Sequence, residues 1–321
     1  MRRRQFMTVL GGAAVWPLAA RAQQTRIAKL GFVSWQSQAA ADQVEYLREG
    51  LTRLGYVEGR NIELETWFTD GNRERTQEVI RGLVQKPVDV LIVRVTPATQ
   101  LAKEATQTIP IVMIVADALA TGLVPSLSRP GGNLTGLSLA SPDLAGKRLE
   151  LVREIKPDIR TIAFLGLTEQ QTATFVRETS AAAKVMGLNL VVRIVDTPEM
   201  INGKLFETMK RDGVEAVVVQ PVFTGEQDKI VSLAMRSQLP VIADFLAFAK
   251  SGALFSLGVE EADLLRRVAY FVDRILKGAK PADLPVEQPT TFRLTVNVRT
   301  ANALGWTIPP LVLSRADEVI E

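Results

Sequence analysis

From residue 27 onward, short apolar, β-branched runs alternate with longer stretches of helical spacing, and this alternation limits the possible folds more than any other feature of the chain. Residues 27–33, 62–67, 88–95, 109–115, 161–167, 188–195, 216–219, 241–243 and 253–259 read as buried strands, whereas 40–54, 73–85, 170–186 and 225–237 repeat apolar positions at the helical period. Such a succession marks parallel sheets, because a parallel partner is reached only through a long return connection. The pattern also repeats itself. Lys29-Leu-Gly-Phe-Val33 opens a strand whose following helix ends at Leu54-Gly55, and Thr161-Ile-Ala-Phe-Leu165 opens another whose helix ends at Met186-Gly187, each glycine suited to close a helix. Farther on, Asp89-Val-Leu-Ile-Val93 leads through a helix to Ile109-Pro110 and Asp117, as Glu215-Ala-Val-Val-Val219 leads to Leu239-Pro240 and Asp244. The expected fold is therefore α/β, with two Rossmann-like lobes built on parallel sheets. The turn-prone SRPGGN at 128–133 and the strand-like run 134–139 place the first passage between lobes near 139–143. Two open parallel sheets offer their carboxyl strand ends to a shared crevice, where a ligand site is expected.

The first 22 residues stand outside this pattern. Arg2, Arg3 and Arg4 form a cationic head, residues 6–18 an apolar middle diluted by glycine and alanine, and Ala20-Arg21-Ala22 a small-residue cleavage site, which together make an export signal. RRQF at 3–6 points to the twin-arginine route. Removing residues 1–22 lowers Lys plus Arg from 38 to 34 against 35 acidic residues, so the formal charge goes from +3 to −1. The electrostatic case for a nucleic-acid partner disappears with it. Cysteine is absent, so neither a disulfide nor a lipidated cysteine is available, and a freely soluble periplasmic protein is expected.

Histidine is absent as well. Without histidine or cysteine the chain has no Ser-His-Asp or Cys-His pair, no thiolate nucleophile and no ordinary zinc or copper ligands, so catalysis would have to rest on carboxylates, lysine, tyrosine or a borrowed cofactor; no metal site and no resident cofactor is expected. PGGNLTG at 130–136 is not followed by Gly-Lys-Ser/Thr and does not open a helix after a strand, so it reads as a turn and not a phosphate loop. Glu260, Glu261 and Asp263 open a helix expected to run to Gly278, where acidic side chains suit the amino-terminal dipole.

The carboxyl-terminal third carries the most specific residues: ILKGAKPADLPVEQPT at 275–290, FRLTVN at 292–297 and ALGWTIP at 303–309. With GLVPSLSRPGGNLTG at 122–136, RADEVIE at 315–321 and the export signal, these resemble the periplasmic substrate-binding proteins of ABC transporters, in particular the tryptophan/tyrosine-type uptake group. The resemblance covers essentially the whole chain. It implies a type I periplasmic-binding fold, with lobes of 26–140 plus about 258–284 and of 141–257 plus about 285–321 joined by three crossings. It also implies a monomer without catalytic activity that closes on a small solute, an amino acid or a small aromatic or branched carboxylate, and presents it to a membrane permease. One departure stands out: GALFSLG at 252–258 carries Leu257 where relatives commonly have a tyrosine, so the solute can differ from theirs.

Candidate solute contacts sit at the ends of the expected strands. Ser34, Trp35 and Gln36 follow the first, and Trp35 can either stack on an apolar solute or pack internally. Thr96 and Thr99 begin a helix where hydroxyls and free backbone N–H groups suit a carboxylate, or simply cap the helix. Asp117 and Asp244 occupy matching positions in the two lobes, placed either to receive an ammonium group or to cap a helix. Thr168, Glu169, Gln220, Phe223 and Phe245 complete the set. The competing reading is an exported carboxylate-dependent hydrolase or lyase using Asp117, Asp244 or Glu169 as acid or base. A ligand-sensing regulator would need an amino-terminal DNA-binding helical unit, and the export signal occupies that place.

Overall fold

The structure, a computed structural model, describes residues 26–321 apart from Pro87, without the side chains of Ala39, Ala40, Asp42, Glu169, Gln170 and Gln171. The expected export signal at 1–22 lies outside the described residues. Strands β1 (Ala28–Ser34), β2 (Ile62–Phe68), β3 (Val90–Arg94), β4 (Ile111–Val115) and β5 (Leu134–Ser138) form one sheet in the order β2-β1-β3-β4-β5, parallel throughout. Helices α1 (Val44–Arg53), α2 (Arg73–Gln85) and α3 (Thr96–Ala105) make its crossovers. Strands β3, β4 and β5 are buried along their whole length, which is why their sequences read as continuous apolar runs and not as alternation.

The second sheet contains β6 (Thr161–Leu167), β7 (Asn189–Val195), β8 (Ala216–Val219), β9 (Val241–Ala243), β10 (Phe255–Gly258), β11 (Arg293–Asn297) and β12 (Glu318–Ile320). Its order is β12-β11-β10-β9-β8-β6-β7, with only the β10–β11 pair antiparallel. Helices α4 (Ala145–Ile155), α5 (Glu169–Val185), α6 (Gly203–Arg211), α7 (Gln227–Arg236) and α8 (Leu246–Lys250) surround it. Side-chain alternation along the strands gives each sheet two cores. Leu30, Phe32, Val90 and Ile92 face α1, whereas Val33, Leu91 and Val93 face α2 and α3. Ile162, Phe164 and Val218 face α4 and α5, whereas Leu165, Val217 and Val219 face α6 and α7.

Helix α9 (Glu261–Leu276) returns to the first sheet. Its Leu265, Val268, Phe271 and Val272 are buried in the core that α1 also covers, although β10 before it and β11 after it belong to the second sheet. Short helices α10 (Val298–Ala303) and α11 (Pro310–Leu313) follow. The chain therefore passes between the sheets after β5, after β10 and before β11. At the last passage, expected near 284–285, Val286 N–H donates to Leu127 O at 2.7 Å, Glu287 N–H to Gly136 O at 2.9 Å, and Ser138 N–H to Glu287 O at 2.9 Å. These bonds add residues 286–287 to the open edge of β5, where otherwise unpaired backbone groups would face solvent.

One buried side chain braces two of the passages. Arg148, on α4, donates through Nη1 to Ser141 O at 3.0 Å in the first passage and through Nε and Nη2 to Leu257 O at 3.1 and 2.9 Å just before the second. Its Nη2 also lies 2.7 Å from Asp244 Oδ2, which accepts a further hydrogen bond from Ser141 Oγ. Burial raises the Asp244 carboxyl to about 7 against the opposing pull of Arg148, and burial likewise lowers the Arg148 guanidinium. Neither charge is tolerable there without the other.

Candidate functional site

The carboxyl ends of both sheets face one another across a cleft enclosing about 720 Å³ of empty space, open mouth included. A cleft between two lobes with apolar walls and a few polar groups is where such folds take a small organic molecule. The first lobe contributes Gln36, the segment from Arg94 to Pro97, and the segment from Ile114 to Asp117 with Thr121. From the second lobe and the first passage come Leu139, Pro142, Thr174, Phe175, Gln220, Pro221, Val222 and Phe245. The lining is dominated by apolar and aromatic groups, and its ionisable members are Arg94 and Asp117.

Local backbone geometry explains how these side chains arrive. Val95 leaves β3 with φ 76°, a conformation rare for a β-branched residue, and this turns α3 so that its amino terminus, uncapped by any side chain, opens on the cleft at Thr96. Thr168 makes the matching turn before α5 with φ 47°. Asp117 Oδ1 accepts hydrogen bonds from Leu119 N–H at 3.0 Å and Ala120 N–H at 2.9 Å, which fixes the carboxylate at the cleft wall. Beside it, the Asp143 carboxyl is raised first by burial and then by the Asp117 and Glu178 charges, so this end of the cleft is electronegative.

Of the expected contacts, Gln36, Thr96, Asp117, Gln220 and Phe245 line the cleft. Others are placed elsewhere. Ser34 is fully buried and its hydroxyl exchanges hydrogen bonds with Gln36; Trp35 packs in the first-lobe core with Ile80 and Leu83. Thr99 donates its hydroxyl to Val95 O at 3.0 Å, inside its own helix. Phe223 belongs to the second-lobe core, because residues 221–223 form a tight 3-10 turn whose neighbouring side chains point in different directions, leaving Val222 at the cleft. Thr168 does not reach the lining, and the Glu169 side chain lies outside the described residues. Asp244 is taken by Arg148 and Ser141 and so is no ammonium receptor in the cleft. Leu257, standing where a tyrosine was expected to matter, packs in the second-lobe core.

Sequence reasoning missed Arg94, Phe175 and Val222. Arg94 carried a readable signal, a lone cation at the end of the apolar run VLIV; Phe175 and Val222 are indistinguishable in sequence from core positions. The acidic side chains opening α9 have arginine partners: Glu260 pairs with Arg293 at 2.9 Å, Glu261 with Arg94, and Asp263 with Arg266 at 3.4 Å.

Residues 26–320 match the family model described as ABC transporter substrate binding protein. The chain belongs to that family. This substrate-binding protein is similar to the tyrosine-binding protein of Clostridioides difficile, with 27% identity over 259 residues, 80% of this chain and 74% of that one. The ABC domain of Streptococcus pneumoniae solved in complex with L-Trp superposes with a TM-score of 0.84 at 29% identity, over 92% of this chain and 100% of that one. A conserved domain protein of Vibrio cholerae gives a TM-score of 0.85 at 27% identity over the same shares. The two-lobed α/β architecture is thus the periplasmic-binding-protein fold. The family is one of extracytoplasmic binding proteins and not of enzymes, which overturns the hydrolase or lyase alternative. The substrate-binding protein serves an ABC transporter and takes up a small solute.

Proposed function

We propose that the protein is the periplasmic receptor of an ABC uptake transporter, and that its solute is an α-amino acid with an aromatic or branched apolar side chain. The observation that carries this reading is the cleft itself: aromatic and apolar walls from Phe175, Val222, Pro221 and Phe245, with the Asp117 carboxylate at one end. An apolar slot with one carboxylate suits a solute that pairs a hydrophobic body with an ammonium group, through burial and a charge-assisted hydrogen bond respectively. The relatives in C. difficile and S. pneumoniae, described with tyrosine and with L-Trp, support the same class. Residues 26–140 with 258–287 form one lobe and 141–257 with 288–321 the other. The leader at 1–22 exports the chain by the twin-arginine route. It works as a monomer, without cofactor or nucleic acid, and delivers its solute to the permease in the inner membrane.

Calorimetric titration of the purified protein with L-tryptophan, L-tyrosine and L-leucine, and with 3-indolepropionate as the analogue lacking the ammonium, tests the reading. Wild type is expected to prefer L-tryptophan over 3-indolepropionate by about tenfold or more, the scale of one charged hydrogen bond. Asp117→Asn keeps the oxygen that caps Leu119 and Ala120, so it is expected to fold normally and lose that preference. No binding by any of the amino acids, or an unchanged preference in the variant, would sink the assignment.

A further inference from the structure

Arg94 is the one cleft-lining group that the expected roles leave unexplained. It ends β3 with its side chain only 5% exposed, yet it lines the cleft. A closed ring of side chains holds it: Nη2 pairs with Glu261 Oε1, Nη1 donates to Gln43 Oε1, and Gln43 Nε2 donates to Glu261 Oε2 at 2.8 Å. Both Glu261 oxygens are therefore engaged, one by Arg94 and one by Gln43. Phe245, from the second lobe, lies against the guanidinium with its ring centroid 5.8 Å from Cζ. A guanidinium has five N–H donors, and two are used by the ring; the remainder, including Nε–H, have no partner among the described residues.

We propose that Arg94 is the specificity-determining anchor for the carboxylate of the solute. This rests on the amino-acid reading above and assigns the second charged group on the solute's α-carbon, the carboxylate beside the ammonium. Glu261 and Gln43 occupy the guanidinium from the protein side, so the empty cleft carries no unpaired buried cation and the side chain is held in one orientation before the solute arrives. The free N–H donors then meet a planar carboxylate in the geometry that a guanidinium offers and an ammonium does not. The two ionisable groups of the lining divide the work: Asp117 takes the ammonium, Arg94 the carboxylate, and the apolar wall the side chain. Because Phe245 reaches the same guanidinium from the other lobe and Glu261 begins α9 just after the second passage, a carboxylate at Arg94 adds contacts only where both lobes are present.

The test compares L-tryptophan, L-tryptophanamide and tryptamine on wild type and on R94M/E261Q, a pair that removes both charges together and strands neither. Wild type is expected to bind the acid about a hundredfold more tightly than the amide or the amine, within the range of hydrogen bonds between charged groups. In R94M/E261Q the acid and the amide are expected to bind within about threefold of one another, with amine affinity unchanged. A brace acting only on α9 and the α1 region would lower the melting temperature and leave the ratio intact, and that result overturns the proposal. Wild type binding acid and amide alike overturns the anchor alone; wild type binding none of the three overturns the anchor together with the amino-acid reading. If R94M/E261Q does not fold, R94Q, which keeps a hydrogen-bonding partner for Gln43, is read by the same ratio.

Discussion

Asp117 and Asp244 show how far two equivalent residues can diverge. Both follow a strand that opens on Ile-Pro or Leu-Pro, and both were candidates for the same task. Asp117 stays at the cleft because its carboxylate is held by the backbone N–H groups two and three residues on. Asp244 is claimed by Arg148, a residue almost a hundred positions away that the hinge brings to it at 2.7 Å. Arg148→Met is expected to cost about 3–5 kcal/mol in urea unfolding, since it leaves a buried carboxylate without its counter-charge. Asp244→Asn should be comparably costly, and the double variant less costly than the two losses added, the signature of direct coupling. Strict additivity would mean that the pair does not act as a unit. The aspartates were legible as strand-end carboxylates, but nothing within ten residues of Asp244 announces Arg148.

At the scale of elements, the runs of β-branched residues located the strands of both lobes to within a residue or two, because a strand buried on both faces needs continuous apolar sequence. Helix α4, β11 and β12 did not announce themselves by period, being short or amphipathic elements whose place depends on what they pack against. Turns were harder still: the 3-10 turn at 221–223 decides that Val222 and not Phe223 lines the cleft. The same connection ends in Gly225, whose φ is +107° and where a Cβ would lie 2.6 Å from Ser37 Oγ in the other lobe. Ser37 Oγ also donates to Gly225 O at 3.3 Å, a direct contact across the mouth of the cleft. Gly225→Ala is expected to hold the mouth ajar and weaken amino-acid binding about tenfold, while lowering the stability of the solute-free protein by only about 1 kcal/mol. Unchanged affinity by titration would show that closure does not run through this contact.

For the whole molecule, the function proposed above is a balance between open and closed lobes that a solute shifts by touching both. In the present arrangement the lobes already meet: Phe245 and Val222 of the second pack on first-lobe cores, and Gly71 lies against Pro198. Adding L-tryptophan at a hundredfold over its Kd is expected to stabilise the fold by about 2.7 kcal/mol, raising the melting temperature by several degrees, and to reduce the radius of gyration seen by solution scattering. A raised melting temperature with an unchanged radius would argue for binding without hinge motion. The α/β class, the duplicated lobes and, through the tail motifs, the family were legible in the chain, because hydrophobic period and local turn chemistry are properties of neighbouring residues. It took the folded chain to bring particular strand-end residues to the cleft wall, Arg94 among them, and to tie residues 286–287 to the first lobe. Each of those depends on a partner far along the chain, a braced carboxylate, a ring of side chains or an open sheet edge, and no local pattern encodes which partner arrives.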